Sequence, residues 1–200
     1  MLDGAAAASP ATAPPTTAPR TTAPPTTAGP GGAAPSGAPP VTDIDAARFR
    51  AVLGRFATGV VAITALEPGT GSPLGLVANS FTSVSLDPPL VAFCVAHTST
   101  TWPRLRAAGR LCVNILGEPQ EDVSRRLAAR GADKFAGIGW TGSPGGAPLL
   151  DGVLAWIECS VEQEHAAGDH VIVVARVHEL DKHGDDDPLI FYRGGYGGLA

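Results

Sequence analysis

Residues 75–91 read GLVANSFTSVSLDPPLV, an apolar run that passes into a cluster of short polar side chains. Asp87-Pro88-Pro89 interrupts the pattern, and a second apolar run follows over residues 90–96. This order predicts a strand, a hydroxyl-rich loop and a second strand. The polar cluster consists of Asn79, Ser80, Thr82, Ser83 and Ser85.

The polar cluster is suited to binding an anion. Short hydroxyl and amide side chains beside free backbone N–H groups can hold an anionic oxygen without a formal positive charge. A phosphate is therefore the first ligand to consider. The alternative is an ordinary loop made of turn-forming residues, and this stretch by itself favours that alternative.

The chain divides by composition into a tail and a domain. Residues 1–40 consist almost entirely of Ala, Pro, Thr, Gly and Ser, and they repeat the sequence APPTT at residues 13–17 and 23–27. Such a segment cannot bury enough apolar surface to offset its ordering entropy, which predicts a disordered tail with polyproline character. Residues 41–200 are then expected to form one globular domain of ordinary size.

Charge and composition exclude several classes of partner. The formal net charge is −5 and the basic residues are scattered, so neither a nucleic acid nor a membrane surface is expected to bind. No stretch approaches the roughly 20 apolar residues that span a bilayer, and the N-terminus lacks the features of a signal peptide. Cys94, Cys112 and Cys159 lie in apolar runs without a CxxC spacing, which favours buried, reduced thiols in a cytoplasmic protein over the alternative of a disulfide.

Apolar periodicity predicts an N-terminal helix followed by a largely β domain. Residues 43–56 place apolar side chains on one helical face after a capping Thr42, and we expect this helix to cover a sheet or to form a dimer contact. Strands are predicted over residues 58–66, 74–79, 90–96, 110–116, 154–164, 170–178 and 189–192, and further helices over residues 103–108 and 119–129. Short, closely spaced strands indicate an antiparallel barrel or sandwich. No GxGxxG follows a first strand, which argues against a Rossmann-type domain.

Polar residues within these elements raise further expectations. Asn114 interrupts an apolar strand, and a buried Asn must find hydrogen-bond partners, which we expect in a neighbouring loop. Ser99 and Thr100 precede a helix, where they either cap free N–H groups or contact an anion. The alternation in residues 154–164 predicts a half-buried strand. Its inner face would consist of Ala155, Ile157, Cys159 and Val161, and its outer face of Trp156, Glu158, Ser160 and Glu162.

The segments NSFTSVS (residues 79–85) and DPPLV (residues 87–91) together resemble the signature of the flavin reductase family, the short-chain reductases that supply two-component flavin monooxygenases. The resemblance continues in order along the chain and covers residues 43–196. Its further elements are VNIL at residues 113–116, KF at 134–135, PL at 148–149, WIEC at 156–159, GDH at 168–170 and YRGGY at 192–196.

The resemblance implies a fold and an activity. The implied fold is the FMN-binding split β-barrel, an antiparallel barrel with a few helices that is usually a homodimer with flavin near the subunit interface. The implied enzyme is an NAD(P)H:flavin oxidoreductase that uses NADH or NADPH to reduce FMN or FAD at N5 and passes reduced flavin to a partner monooxygenase. The alternative is a non-catalytic split barrel that stores or senses flavin or haem. The Gly-Asp-His segment favours the enzyme, because a binding module needs no nicotinamide face.

The resemblance also implies which residues contact the flavin. Ser99 and Thr100 would continue from the flavin-lining residues to the phosphate end, with plain helix capping as the alternative. Lys134 would contact the phosphate, unless it is a solvated loop lysine. The implied flavin-lining residues are Asn79, Ser80, Phe81, Thr82, Ser83 and Ser85.

The nicotinamide side is implied by a second group of residues. Gly168, Asp169 and His170 would form this side, with Tyr196 near the same face. His170 is expected to help hold the dinucleotide over the flavin, which would affect the rate through positioning. The alternative is an exposed, replaceable histidine. The other histidines lie at predicted strand ends or turns without helical i, i+4 pairs, so no metal site is expected.

Overall fold

The computed structural model describes residues 44–131 and 133–199, which contain three α-helices, one 3₁₀ turn and twelve strands. The predicted tail over residues 1–40 lies outside the described residues. The helices are α1 (Ala46–Leu53), α2 (Trp102–Ala107) and α3 (Glu121–Ala128), and the 3₁₀ turn is Glu118–Gln120. The strands are β1 (Thr58–Gly59), β2 (Val61–Leu66), β3 (Pro73–Ala78), β4 (Thr82–Leu86), β5 (Pro89–Ala96), β6 (Leu111–Ile115), β7 (Trp140–Gly142), β8 (Pro148–Leu150), β9 (Ala155–Ala167), β10 (His170–Lys182), β11 (Ile190–Tyr192) and β12 (Gly195–Gly197).

Seven strands form one sheet in the order β3-β2-β6-β9-β10-β5-β4, and every pairing in it is antiparallel. Strands β3 and β5 lie near opposite ends of this order. Leu74 and Leu76 of β3 nevertheless pack in the same buried cluster as Phe93 of β5. The sheet therefore curls around one core, and the predicted antiparallel barrel is confirmed.

The two faces of β3 belong to different cores. Leu74 and Leu76 point into the barrel, whereas Gly75 faces helix α3. A Cβ atom on Gly75 would lie 3.0 Å from Leu127 Cδ2 and 3.2 Å from the Phe135 ring, so only glycine lets this layer approach so closely. Because side chains alternate along a strand, this outer face continues to Val77, next to the end of β3.

Strands β9 and β10 form a long hairpin of 13 residues on each side, longer than predicted for either strand. The hairpin turns at Gly168, whose positive φ of 63° suits glycine. The backbone N–H of His97, just after β5, donates to the Asp169 carbonyl at 3.0 Å. This bond ties the turn to the end of the barrel.

The predicted N-terminal helix is shorter than expected. It begins at Ala46, and Asp45 caps it by accepting hydrogen bonds from the N–H groups of Ala47 and Arg48. A carboxylate at this position satisfies free N–H groups and complements the helix dipole. The predicted cap, Thr42, lies outside the described residues. The helix buries none of its side chains within the described chain.

The predicted hydroxyl-rich loop over residues 79–85 is wrong in its second half. The loop spans only residues 79–81, and Thr82 begins strand β4, which pairs with β5. Alternating Thr, Ser and Val residues fit an edge strand. Ser83 and Ser85 therefore lie on a strand rather than in a loop. The predicted single strand over residues 58–66 is also divided, into β1 and β2 on either side of Val60. Val60 packs into a second core, outside the barrel, which also contains Leu116, Leu127, Phe135 and Leu189.

The predicted faces of β9 are wrong at two positions. Trp156 and Glu158 were expected on the outer face, but both are buried, with Glu158 only 3% exposed. The β7–β8 hairpin covers both side chains. The sequence of this hairpin is rich in Gly and Pro and therefore predicts a loop rather than two strands. Within it, the Ser143 hydroxyl donates to Glu158 Oε2 at 2.7 Å, which supplies a partner for the buried carboxylate.

Asn114 confirms its predicted role. It is fully buried, and its Oδ1 atom accepts a hydrogen bond of 2.9 Å from the Leu150 N–H of strand β8. Its Nδ2 atom donates to the Thr64 hydroxyl at 3.0 Å. The side chain therefore anchors the β7–β8 hairpin to the barrel.

The three cysteines are free thiols, as predicted, but only two of them are buried. Cys112 and Cys159 are fully buried, and burial raises the pKa of each thiol to about 12. Cys94 is half-buried, because it lies where strands β4 and β5 meet the loop at residues 79–81. Within the described ranges, no helix has the length and apolar character required to cross a membrane.

Candidate functional site

The loop between β3 and β4 lines a cavity of about 440 Å³, which we call the Asn79 cavity. It contains four of the predicted flavin-lining residues: Asn79, Ser80, Phe81 and Thr82. Its other walls come from the segment around β1 and from β6. These walls consist of Phe56, Ala57, Thr58, Gly59, Val60, Val61 and Ile115.

Thr58 in the wall of the Asn79 cavity was not predicted as a site residue. Its hydroxyl oxygen is buried and has no hydrogen-bond partner among the described residues. A buried polar atom without a partner costs roughly 1–3 kcal/mol, so the position is suited to a ligand that supplies the missing bond. A β-branched residue at the start of an apolar run fits an ordinary strand, so the sequence contains no signal for this role.

The Ser80 hydroxyl already has a structural partner. It accepts a hydrogen bond of 2.9 Å from the Cys94 N–H and thereby ties the loop to β5. Ser83 and Ser85 lie further along β4, opposite Val91 and Leu90, and line neither of the two cavities described for this chain. Their predicted flavin contacts stay predictions.

A second depression of about 660 Å³, which we call the Lys134 cleft, lies on the outer face of β3. It is bounded by the end of β5, the start of α2, the end of α3 and the segment around Lys134. It brings together three residues predicted for the phosphate end: Ser99, Thr100 and Lys134. Thr101 and Arg104 also line it and were not predicted.

Lys134 is half-buried rather than a solvated loop lysine. Its Nζ atom donates to the Leu127 carbonyl at the end of α3 at 2.9 Å, and to the Thr101 hydroxyl at 3.4 Å. Burial, and secondarily the nearby Arg104 charge, lowers the pKa of Lys134. The ammonium group is therefore held at the cleft, partly removed from water. A phosphate bound there would replace the hydrogen bonds to water that the ammonium group has lost.

Of the two residues before α2 that were predicted to contact an anion, Ser99 and Thr100, one acts as a helix cap. The Ser99 hydroxyl accepts a hydrogen bond of 3.2 Å from the Trp102 N–H, which is the capping role considered for it. Thr101, at the N-cap position, makes no capping bond with its side chain. Thr100 lines the cleft and is exposed. Thr100 and Lys134 are thus better placed than Ser99 to contact an anion.

The predicted nicotinamide residues lie on the β9–β10 turn. His170 Nδ1 is 2.7 Å from Asp169 Oδ1, and the hydrogen bond from His170 lowers the pKa of the Asp169 carboxyl. His170 is half-buried and Asp169 is exposed. Neither residue lines the Asn79 cavity or the Lys134 cleft.

Tyr196 packs against helix α3. Its hydroxyl oxygen lies 2.9 Å from the Ser124 hydroxyl, and its ring meets Phe191 edge to face at 5.3 Å. The Arg125 guanidinium lies 5.0 Å from the ring centre. These contacts give Tyr196 a packing role in the second core, and its nicotinamide contact stays a prediction.

The Asn79 cavity and the Lys134 cleft lie along the same strand. Val77 lines the cleft and Asn79 lines the cavity. Asn79 follows Val77 by two residues, just past the end of β3, and two residues of extended chain span about 7 Å. A ligand with an aromatic ring at one end and a phosphate at the other has the length to occupy both. No cluster of three or more potential metal ligands occurs among residues 44–131 and 133–199.

Comparison with known proteins identifies the family. A family model described as a flavin reductase like domain matches residues 53–200. A flavin reductase from Pseudomonas putida is 49% identical over 157 residues, covering 78% of this chain and 92% of that protein. A reductase subunit of a flavin-dependent monooxygenase, HsaB from Rhodococcus jostii, is 47% identical over 156 residues, covering 78% and 79%.

A solved structure agrees with these matches. The NADH:FAD oxidoreductase SgcE6 of Streptomyces globisporus C-1027, in complex with NAD and FAD fragments, is 35% identical with a TM-score of 0.73, covering 82% of this chain and 98% of that chain. The chain belongs to the flavin reductase-like domain family. The predicted family, the split-barrel fold and the class of enzyme, an NAD(P)H:flavin oxidoreductase, are confirmed. The non-catalytic alternative is not favoured.

Proposed function

We propose that this protein transfers a hydride from NADH or NADPH to N5 of FMN or FAD, and that it supplies the reduced flavin to a partner monooxygenase. The observation that carries the residue assignments is that the Lys134 cleft and the Asn79 cavity are lined by residues only two positions apart, Val77 and Asn79. The cavity offers an apolar wall with a few polar groups, and the cleft offers positive charge and hydroxyls.

Bound flavin and nicotinamide supply the redox chemistry, and the protein supplies binding, orientation and electrostatics. Asn79 and the unpaired Thr58 hydroxyl are placed to meet polar atoms of a ring in the cavity. Phe56 and Val61 in the same wall exclude water from it. Thr100 and Lys134 at the cleft would hold the phosphate, and together these groups fit a flavin without requiring a nucleophilic side chain.

His170 is proposed to position the dinucleotide. Asp169 holds its Nδ1 side, so the Nε2 side is presented at the turn. Because reacting atoms must be held about 3–3.5 Å apart, a residue that orients the nicotinamide affects the rate without transferring a proton itself.

A second copy of this chain is proposed to cover the exposed apolar side chains of α1. Phe49, Val52 and Leu53 are each more than half exposed, and Phe56, which follows the helix, is 73% exposed. Such an apolar surface on one helix is unusual for a monomer. Phe56 also lines the Asn79 cavity, so a partner copy seated on this surface would close the cavity, as expected for flavin near a subunit interface.

The oligomeric state tests the second copy. Light scattering during gel filtration should give the mass of a dimer for the natural chain and of a monomer for Val52→Glu. The monomeric variant should also bind flavin more weakly. A natural chain that stays monomeric at micromolar concentration would contradict the proposal.

The free thiols support a reducing compartment. Cys112 and Cys159 are buried and unpaired within the described chain, as expected for a protein that functions in the cytoplasm. We therefore propose a cytoplasmic location, where NADH and NADPH are also available. Fractionation of the native host with an antibody against the chain would test it, and recovery outside the cytoplasmic fraction would contradict it.

The activity is tested directly by mixing the protein with NADH or NADPH and free FMN or FAD, and following the nicotinamide absorbance. Flavin-dependent oxidation is expected, with reduced flavin accumulating when oxygen is absent. A protein that binds flavin but does not accelerate nicotinamide oxidation with either donor would overturn the proposal.

A further inference from the structure

The Lys134 cleft is more positive than the chain as a whole. Its lining includes three cations, Arg104, Arg130 and Lys134, and one carboxylate, Asp133. The full sequence has a formal net charge of −5. A depression that concentrates one sign of charge against the overall balance attracts ligands of the opposite sign.

Arg104 is held at this cleft by a carboxylate on the neighbouring hairpin. Its Nε atom lies 2.6 Å from Glu67 Oε1 and its Nη2 atom lies 2.9 Å from Glu67 Oε2. The Thr70 hydroxyl donates to the same carboxylate at 3.1 Å, which fixes it on the turn between β2 and β3. A guanidinium has five N–H donors, and this fork uses two of them. The remaining donors are available to a ligand while the side chain stays oriented.

Arg104 and Lys134 both lie near Thr101. The Lys134 ammonium contacts the Thr101 hydroxyl at 3.4 Å, and Arg104 follows Thr101 by about one turn of α2. The Arg104 charge also contributes to lowering the pKa of Lys134, as expected for cations that face the same space. Two such cationic groups suit two linked phosphates better than one, because each phosphate can then accept hydrogen bonds from its own donor.

The cleft also has room for more than a phosphate. Its volume of about 660 Å³ falls within the range of roughly 300–1,000 Å³ that holds whole small-molecule ligands. Val77, Leu127 and Phe135 supply an apolar part of the wall. This combination of a cationic rim and an apolar wall fits a pyrophosphate followed by an aromatic base.

We propose that Arg104 is a specificity-determining residue that recognises the second phosphate of a dinucleotide flavin, so that the protein binds FAD in preference to FMN. The inference rests on the proposed function, which assigns the phosphate common to both flavins to Thr100 and Lys134. Glu67 is then a positioning residue that orients the guanidinium.

The test is equilibrium binding of riboflavin, FMN and FAD to the full chain, measured by flavin fluorescence. The natural chain should bind FAD more tightly than FMN. Because a hydrogen bond to a charged group is the interaction removed, Arg104→Gln should raise the Kd for FAD about tenfold and change the Kd for FMN by less than about twofold. Arg176→Gln is the matched control, since Arg176 forms a similar fork with Glu162, at 2.7 Å from Nε to Oε2, but lines neither cavity.

Three results would overturn the inference: equal or tighter binding of FMN by the natural chain, an equal loss of FMN and FAD affinity in Arg104→Gln, or no loss of either. Should Arg104→Gln fail to fold, the comparison of FAD with FMN on the natural chain still decides. Failure of the proposed function has a different signature, since the natural chain would then oxidise neither NADH nor NADPH with either flavin.

Discussion

His170 Nδ1 lies 2.7 Å from Asp169 Oδ1 at the β9–β10 turn, and the Asp169 carbonyl ties this turn to His97 after β5. A carboxylate at neutral pH only accepts hydrogen bonds, so Nδ1 carries the shared proton. The Nε2 atom is therefore the one left for a ligand. Asp169 thus orients the imidazole in the way expected of a positioning residue.

Replacing His170 should affect the nicotinamide more than the flavin. We expect His170→Ala to lower kcat/KM for NADH or NADPH by roughly tenfold to a hundredfold, because a hydrogen bond to a charged or polar group is lost. The Kd for flavin should stay nearly unchanged. Steady-state kinetics with each substrate varied in turn, together with flavin titration, would measure both effects.

Two further variants sharpen this test. His165→Ala removes an exposed histidine of β9 that bonds to Gln163, and it should leave both nicotinamide parameters unchanged. Asp169→Asn should have an effect in the same direction as His170→Ala but smaller, since the ring loses its orientation and not its contact. Because the pKa of Asp169 is lowered, its carboxylate should stay paired with His170 as pH falls through the usual range for Asp. The pairing should be lost only when pH falls through the lowered value. Unchanged kinetics in His170→Ala would exclude the role.

Lys134 should discriminate flavins with a phosphate from riboflavin. Lys134→Gln is expected to raise the Kd for FMN about tenfold by removing a charge-assisted hydrogen bond, while riboflavin binding stays unchanged. The natural chain should lose its preference for FMN over riboflavin as pH rises through the lowered pKa of Lys134, below the ordinary lysine value of about 10.4.

Lys182 offers the matched control for this variant, because it is an exposed lysine at the end of β10 that lines neither cavity. Lys182→Gln should bind both flavins as the natural chain does. Equal losses of riboflavin and FMN in Lys134→Gln would indicate a distorted site, because the Leu127 carbonyl also loses its donor in this variant.

The Thr58 hydroxyl should matter for flavin and not for the fold. Thr58→Val replaces a buried, unpaired hydroxyl with a methyl group of similar size, so the midpoint of thermal unfolding without flavin should not fall. The Kd for flavin should rise roughly two- to tenfold through the loss of one hydrogen bond.

Thr64→Val is the opposite case. The Thr64 hydroxyl donates to the Cys112 carbonyl at 3.1 Å and accepts from Asn114 at 3.0 Å. This variant should lower the unfolding midpoint and leave flavin affinity nearly intact. A midpoint that falls equally in both variants would show that Thr58 has a structural partner instead.

The buried thiols should be unreactive in the folded protein. Burial raises the pKa of Cys112 and Cys159 to about 12, so neither forms thiolate at pH 8, and iodoacetamide should modify at most Cys94. All three thiols should react after unfolding in urea. Unfolded thiols ionise near pH 8.5, so the thiol contribution to the free energy of unfolding should be constant below this pH and decline as pH rises from there towards about 12. Rapid modification of all three thiols in the folded protein would contradict the burial.

The Ala/Pro/Thr-rich segment should be dispensable for catalysis. A chain that starts at Val41 is expected to keep the reductase rate of the full chain, because residues 1–40 lack core-forming side chains. Rates, flavin affinity and mass in solution should be measured side by side. Loss of flavin binding or of assembly in the shorter chain would show that the domain extends into this segment.

Local patterns in the sequence determined the class of fold and the loop at the Asn79 cavity. Apolar runs separated by turn residues are enough to predict strands, because burying one face of a strand requires apolar residues at alternate positions. The buried Asn114 was likewise predictable, since an amide inside an apolar strand must be satisfied by a neighbour. The segment NSFTSVS was recognisable because its five polar residues are interrupted only by Phe81 and Val84.

Only the tertiary structure decided which residues distant in sequence line the same site, and which residues are buried beneath another segment. Glu158 is buried because a Gly/Pro-rich hairpin folds over it, and no pattern within β9 contains that information. Arg104 and Lys134 lie 30 positions apart in sequence and face one cleft only because α2 and the end of α3 pack on the same face of β3. The period of apolar residues in a segment indicates which of its faces is buried. The cleft, by contrast, forms by packing between segments far apart in sequence, and no pattern within one segment contains that information.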